Sequence, residues 1–405
     1  MSTSDPLESN DSSVQGFTKD GLAEFDTQFH KMVDDGKLAN IVTLIARHGK
    51  IVHCDAYGVH DASAAVPVPV KTTSIYRIAS MLKPIIGAAM MLLWEEGLWA
   101  LEDPVCKFIP EFSDLKVKVE NEGGEVELVD QDTPMTMEQL MSHTAGFVGR
   151  GEYDADHMRK GDLQDMINIL ATLPLAFQPG KEWRYGPSVD VQGYIIEKLT
   201  GQLLDDFLAQ RLFTPLGMVD TGFVLPASKL ERLVSNHKDD GTGKLVSVPL
   251  EGTYNTTRPK FIGGGMMILS TVDDYFRFSQ MLLNGGEFEG KRYLKPSTTE
   301  LMHTSVLKPG VHLQFGAHVL EDLGFGLGVA IVQNQVQRIM QNQVQRMSTL
   351  KLGSYFWRGL YGTWFWIDPT NEVVVVGFIN ELDWPKKVPF ARDICAKWVY
   401  KALKE

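Results

Sequence analysis

Cysteine is nearly absent. Cys54, Cys106 and Cys395 are the only three in 405 residues; their odd number and wide spacing, with no C-x-x-C pair, exclude a disulfide framework and a cysteine-based zinc site and point to a reducing compartment. Positive charge is short as well. Against 51 Asp plus Glu stand 39 Lys plus Arg, a formal net charge of −12, and such a surface repels nucleic-acid phosphates and anionic lipid. Long apolar runs are also missing. The longest, Pro84 to Trp94, is far below the roughly 20 residues of a membrane span, and Met1 to Gln15 is polar and acidic where a secretory leader is basic and then apolar. The expectation is a soluble, cytoplasmic protein with neither a nucleic-acid nor a membrane partner.

Two further absences concern chemistry. No serine has glycine two residues away on both sides, which removes the G-x-S-x-G elbow of α/β-hydrolases. The metalloprotease spacing H-E-x-x-H is missing, and the ten histidines are scattered, with His48, His53 and His60 in or beside one short stretch. These read as exposed or core imidazoles, so neither a metal nor an organic cofactor is expected.

What remains is a globular composition, 44% apolar and 22% charged, long enough for two domains. Leu22, Phe25, Phe29, Met32 and Val33 recur at helical spacing. Two β-rich runs follow, Ile41 to Arg47 and Ile51 to Tyr57, split by His48-Gly49-Lys50 in the manner of a hairpin. At the far end Tyr361 to Ile367 and Val373 to Ile379 flank Asp368-Pro369-Thr370-Asn371, a second hairpin, before Phe390, Ile394, Trp398 and Ala402 repeat every four residues. Between the ends helical patterns dominate, as in Pro84 to Glu96 closed by Gly97 and Ser188 to Leu199 closed by Thr200-Gly201. The economical architecture is α+β: an antiparallel sheet built from both chain ends, with helices on its faces and a helical insertion. The boundaries expected are a disordered segment 1–18, an α/β domain from 19–79 plus 260–405, and a mostly helical domain 80–259, with the cleft between the two. A tandem eight-residue repeat, Val332 to Ile339 and Met340 to Met347, is too short for a solenoid and reads as a duplicated surface strand or loop, or else as an oligomer contact.

The spacing S-x-x-K occurs at Ser80–Lys83, Ser305–Lys308 and Ser348–Lys351. Only Ser80 opens a long apolar helix; Ser305 runs into Lys308-Pro309-Gly310, a turn, and Ser348 follows the Gln-rich repeat. Proline is tolerated only in a helix's first turn, so Pro84 puts the helix start close to Ser80. Residues three apart share a helical face, which lets the Lys83 ammonium approach the Ser80 hydroxyl. The same spacing also describes a helix-capping serine followed by an ordinary lysine.

The surrounding segments carry a resemblance. Tyr76-Arg77-Ile78-Ala79-Ser80-Met81-Leu82-Lys83-Pro84-Ile85 resembles the active-serine segment of class C β-lactamase-like serine hydrolases, above all the family VIII carboxylesterases. Similar segments recur in register at Leu140 to Gly146, Pro215 to Met218 with Thr221-Gly222-Phe223, Gly263-Gly264-Gly265 with Asp273-Asp274, and Gly362 to Pro369, so the likeness spans nearly the whole chain. It implies a β-lactamase/penicillin-binding-protein transpeptidase-like fold with Ser80 as nucleophile and Tyr185, in Tyr185-Gly186-Pro187, as acid and base. An unperturbed tyrosine has a pKa of about 10, and a neighbouring ammonium favours the phenolate, so Lys83 beside Tyr185 is a physical means of making it basic, the two titrating as a pair.

The third motif implied is Trp357-Arg358-Gly359, on an edge strand along the cleft, with the backbone N–H groups of Ser80 and Leu360 as oxyanion donors. Trp357 also reads as a core aromatic of that strand. Two departures bear on substrate. Pro187 stands where the lactamases have an asparagine, and Trp357 where they have a lysine, so two polar anchors for a lactam are missing. What is left is an apolar cleft, with Trp183, Trp357, Phe147 and Tyr361 as substrate-contact candidates beside Gly359, suited to small-molecule esters of small to medium acyl chains. Arg358 either supplies a substitute positive charge or points to solvent. The resemblance thus implies a serine esterase; an acyltransferase and a β-lactamase or D-Ala peptidase are the alternatives within the family, and a non-catalytic binding or scaffold protein the one outside it.

Overall fold

The computed structural model describes residues 15–404 apart from 122, 150–151, 153, 250–253, 266–267, 316–317, 335–336, 341–342, 347–348 and 383–390. Seven strands form one antiparallel sheet: β1 (Asn40–Arg47), β2 (Lys50–Gly58), β3 (Leu323–Phe325), β4 (Ala330–Val332), β5 (Tyr355–Arg358), β6 (Trp364–Asp368) and β7 (Val373–Phe378). Their spatial order is β3-β4-β5-β6-β7-β1-β2, so the two chain ends meet at β7 and β1. Both expected hairpins are present. The β1–β2 turn has positive φ at His48 and Gly49, 52° and 74°, the type I′ twist that suits adjacent strands. In the second hairpin Tyr361 to Thr363 belong to the preceding turn, and the strand starts only at Trp364.

The interior strand β7, VVVVGF, is buried at every position, as expected where both faces are covered. Five helices matter for the site: α1 (Lys19–Asp34), α2 (Leu82–Glu95), α3 (Ser188–Thr200), α4 (Val272–Leu283) and α5 (Ala391–Ala402). On one face Tyr275 of α4 packs its ring on Phe365 and Phe378, at 5.0 and 6.5 Å. On the other, Tyr400 of α5 donates to Asp368 at 2.8 Å, and the Trp364 ring fills the space a side chain at Gly377 would need. The terminal helices α1 and α5 lie together on this second face. Sequence alternation along β6 and β7 sorts the side chains to these two sides.

The remaining expectations divide. Of the segment 1–18 expected to be disordered, residues 1–14 lie outside the described part, whereas Phe17 is 2% exposed, bridges to Leu403, and precedes Thr18, whose hydroxyl caps α1. Apolar burial against α5 is what orders this piece. The strand of Trp357 is not at the edge of the sheet: the short β3–β4 hairpin pairs Ala330 with Phe356 and Ile331 with Tyr355. That cover ends at Phe356, and Trp357 and Arg358 run on past it. Part of the tandem repeat folds as its own antiparallel ribbon, Gln337–Met340 against Gln343–Arg346, apart from the main sheet. Among the described residues no helix is long and apolar enough to cross a membrane.

Candidate active site

The chain reaches Ser80 through a strained corner. Tyr76–Arg77 pairs with Leu269–Ser270, Ile78 N–H donates to the Ile268 carbonyl, and Ala79 then takes φ +45°, a left-handed conformation that costs a non-glycine residue about 1–2 kcal/mol. Neighbours hold the corner in place. The Thr363 hydroxyl donates to the Ile78 carbonyl at 3.2 Å, and the Tyr275 hydroxyl to the Met81 carbonyl at 2.8 Å. Ser80 sits in a 3-10 turn, Ala79–Met81, one step ahead of α2 rather than inside it. The apolar helix behind is buried from Leu82 to Leu93, which fixes the turn against the core.

Lys83 and Tyr185 both reach Ser80. Lys83 Nζ donates to Ser80 Oγ at 3.3 Å and to the Gly265 carbonyl at 2.6 Å, and the Tyr185 hydroxyl donates to Ser80 Oγ at 2.8 Å. The Lys83 ammonium lies 4.9 Å from the centre of the Tyr185 ring. Tyr185 comes from the loop entering α3, and a side chain on Gly186 would meet the Val148 carbonyl at 2.6 Å, so glycine lets the loop lie flat there. Asp190, buried on α3, accepts from Gly265 N–H at 2.8 Å. Side chains at Gly263 and Gly265 would strike that carboxylate. The glycine run is therefore the backbone that carries a carbonyl to Lys83.

Gly359 lies against the nucleophile's own segment. A Cβ there would come 2.4 Å from the Ile78 carbonyl and 2.1 Å from Thr363 Oγ1. Leu360, which follows in the turn, is 40% exposed, and Tyr361 borders a small pocket with Arg77, Ala79 and Tyr254. Burial and desolvation lower Arg77 to about 10, opposed by the nearby Tyr361 and Tyr254 hydroxyls.

Rings enclose Tyr185. Trp357 and His143 lie 5.6 and 5.1 Å away, Trp183 stacks at 6.2 Å, and Phe315 stands at 5.9 Å. Of these, Trp183 and Trp357 are buried, 3% and 4% exposed, and form the wall behind the tyrosine. Half-buried Phe315 and Arg358 supply the accessible rim. The Arg358 guanidinium covers the Phe315 ring at 5.2 Å, so it turns to the rim rather than to open solvent. Burial lowers it to about 10, with the like charge of Arg392 acting the same way and Tyr185 and Asp393 the other. Phe147 is not brought to this group; it packs edge-on against Phe112 in the core, at 5.6 Å.

Sequence reasoning missed His143, Phe315, Phe325, Asp190 and the Gly265 carbonyl. His143 has φ +62° and is buried against Tyr185, Trp183 and Phe325. Burial, and then the Lys83 charge, lower its imidazole to about 3. It is a neutral ring at ordinary pH. Only its place in the segment Leu140 to Gly146 gave any signal.

A hydroxyl, an ammonium and a phenol within hydrogen-bonding reach can activate an oxygen nucleophile. A family model described as Beta-lactamase matches residues 25–394. Protein Rv1367c of Mycobacterium tuberculosis is 32% identical over 363 residues, covering 86% of this chain and 88% of its own length. Esterase EstB of Burkholderia gladioli is 33% identical over 215 residues, half of either chain, at 50% and 51%. The solved structure of EstCE1, described as a hydrolase with promiscuous acyltransferase activity, superposes with a TM-score of 0.71 at 23% identity, covering 94% of this chain and 99% of that one.

Proposed function

The chain belongs to the Beta-lactamase family, and from that premise we propose that it is a serine esterase, a carboxylesterase of the family VIII kind acting on small to medium acyl esters. The observation that carries the reading is the Tyr185 hydroxyl 2.8 Å from Ser80 Oγ, with Lys83 Nζ 3.3 Å from the same oxygen. In the reaction we infer, Tyr185 reacts as its phenolate, and the Ser80 proton passes to that oxygen as Oγ bonds to the ester carbonyl carbon. Lys83, with Nζ 4.9 Å from the ring centre, places positive charge where it favours that phenolate. The backbone N–H groups of Ser80 and Leu360 receive the oxyanion, and the tight seat of Gly359 on Ile78 supports that pairing. Collapse breaks the carbonyl–alkoxide bond, and Tyr185 returns its proton to the leaving alcohol. Water then gives a proton to Tyr185 as its oxygen attacks the acyl-serine carbonyl; collapse breaks the carbonyl–Oγ bond, Tyr185 returns the proton to Ser80 Oγ, and the carboxylic acid leaves.

The substrate class follows from what surrounds Ser80. Pro187 caps α3 with no side-chain donor, and Trp357 is buried among rings, so the two polar anchors of a lactam site are replaced by an apolar wall. Phe315, Arg358, Leu360 and Tyr361 are the groups left to touch a substrate; Trp183 and Trp357 act behind them. The shortage of cysteine, three in 405 residues, supports a reducing, cytoplasmic setting as part of the same reading. A p-nitrophenyl ester assay tests it, together with mass spectrometry after a fluorophosphonate probe. Turnover lost in Ser80→Ala and an adduct on Ser80 are expected; undiminished turnover, or no adduct, would sink the proposal. Efficient nitrocefin hydrolysis would instead favour a lactamase.

One second reading has a specific support: the acyltransferase activity in the description of EstCE1. Hydrolysis and transfer share the acyl-enzyme and differ in whether water or an alcohol intercepts it. Adding a competing alcohol and measuring ester product against free acid separates them, and exclusive transfer would move the reading.

A further inference from the structure

Helix α1 and edge strand β2 bring two histidines and two carboxylates together on the sheet face away from α4. Asp26 and His30 are one helical turn apart on α1, and His53 and Asp55 are two apart on β2, so each pair shares a face. His53 and Asp55 pair with Ile45 and Thr43. The alternate residues of β1, Val42 and Leu44, pair with Phe378 and Val376, on the side where Tyr275 packs. The nucleophile's segment is tied to that Tyr275 side through Met81. The cluster therefore lies across the sheet from Ser80.

Two short histidine–carboxylate contacts mark the cluster. His30 Nε2 is 2.8 Å from Asp55 Oδ2, and His53 Nε2 is 2.9 Å from Asp26 Oδ1. Ligand atoms of Asp26, His30 and Asp55 all fall within 4.8 Å of one another, the one such grouping of His, Cys, Asp and Glu among the described residues. The His53–Asp26 contact is close but misdirected. Both atoms are buried with no hydrogen-bond partner, and His53 is only 9% exposed. Leaving such atoms unsatisfied is costly, and a cation between them would engage both lone pairs. The imidazoles are already oriented: His30 stacks on Tyr57 at 3.8 Å, and the Phe25 ring meets His53 edge-on at 5.5 Å. The Tyr57 hydroxyl is in turn fixed on Asp34 at 2.9 Å.

We propose that Asp26, His30, His53 and Asp55 bind one divalent transition-metal ion of the zinc type. Zinc bonds of about 2.0–2.2 Å in a tetrahedron put ligand atoms roughly 3.4 Å apart. The two close pairs open by about half an ångström, the separations among Asp26, His30 and Asp55 close by at most about an ångström and a half, and His53, which stands farther from at least one of the trio, turns toward them about its side-chain torsions. Imidazole with carboxylate suits zinc and its neighbours rather than calcium or magnesium, which take all-oxygen sets. Four protein ligands close the coordination sphere, so the ion is structural: it clamps the first helix to the sheet edge.

The test is a zinc titration of the full-length protein against a chromophoric chelator, with cobalt(II) absorption and thermal unfolding as further readouts. One equivalent per chain, a tetrahedral cobalt spectrum and a zinc-dependent rise in Tm are expected, with affinity cut about tenfold or more in His53→Asn. Since His53 is buried, His30→Gln and Asp55→Asn on the accessible side carry the test where His53→Asn does not fold. Ester turnover should be unchanged by zinc or chelator. Absence of stoichiometric binding, or binding undiminished in both accessible variants, overturns the site and leaves two histidine–carboxylate pairs.

Discussion

Tyr185 is the residue on which the proposed chemistry turns, because its oxygen, at 2.8 Å the nearer of the two groups on Ser80 Oγ, is the one assigned to take the proton and return it. Tyr185→Phe keeps the ring among Trp183, Trp357, Phe315 and His143 and removes only the hydroxyl. Its kcat on a p-nitrophenyl ester is expected to fall by about 10²–10⁴, with KM and the unfolding temperature little changed; a kcat within twofold of the parent would remove Tyr185 from the mechanism. His143 makes a separate prediction. Its folded value of about 3 lies below the ordinary 6.5, so between these the unfolded chain binds more protons and stability falls as pH drops. For one fully buried imidazole that loss is on the order of a few kcal/mol. Asp274, which burial raises to about 6, acts in the opposite sense, so the comparison must be within a pair of proteins. His143→Asn suits the left-handed backbone and does not titrate. Urea unfolding at pH 7 and pH 4 should show the parent losing more stability than the variant, and equal losses would show that His143 is not the group. Ser80, Lys83 and Tyr185 were legible because local spacing and ordered motifs carried them. His143, Phe315 and Asp190 were not, since nothing in sequence distinguishes a ring behind a tyrosine from any other core ring. The Asp26–His30–His53–Asp55 cluster was hidden for a similar reason: the sequence reading took its histidines singly, and only the docking of α1 on β2 joins the halves.

At the scale of elements, periodicity found both hairpins and four of the five helices named above, passed over α4, and missed where each strand or turn hands over to the next. The helix expected to start near Ser80 begins at Leu82, because Ala79 turns left-handed and Ser80 stays in a 3-10 turn. Tyr361 to Thr363 looked like strand because two of the three are β-formers, yet they form the turn that seats Gly359 on Ile78. The cover of β5 by β3 and β4 was invisible, since three-residue strands leave too short a pattern to read. That turn is the element to probe. Gly359→Ala places a methyl 2.4 Å from the Ile78 carbonyl and 2.1 Å from Thr363 Oγ1, so backbone has to move between the nucleophile's segment and the Leu360 N–H. A displacement near an ångström in a catalytic group costs about 10² in rate. The expected result is a kcat loss of that order with normal far-UV circular dichroism, and an alanine variant at parental kcat would show that the seat is not part of the oxyanion geometry.

For the whole molecule, the question is whether the two parts of the chain stand alone. We propose the division read from the sequence, residues 19–79 with 260–405 around an insertion 80–259, as a description of topology. One buried apolar cluster, however, runs from Phe17 to Ala402 through both parts, taking in α2 and α3 together with β6 and β7. A shared core has no boundary at which unfolding can stop, so calorimetry should show one transition, and two resolved transitions would mean that the parts unfold independently. The sheet makes the point more sharply. Its second face is covered by α1 and α5, with Tyr400 on Asp368 and Cys395 fully buried beside Trp364. Thr18 N–H donates to the Ala402 carbonyl at 2.9 Å, so α5 also anchors the entry to α1. Truncation before Ala391 would uncover Trp364 and Trp366, both at most 2% exposed, and release the first helix, although Lys83 and Tyr185, the partners of Ser80 Oγ, lie outside the removed segment. Fully burying a large apolar side chain contributes about 1.5–3 kcal/mol, and folded domains hold only about 5–15 kcal/mol in total. Loss of several such contacts should leave an insoluble or molten chain without ester turnover, read by soluble yield and near-UV circular dichroism. A soluble truncated enzyme at parental kcat would show that the sheet's other face is sufficient to hold Ser80, Lys83 and Tyr185 together.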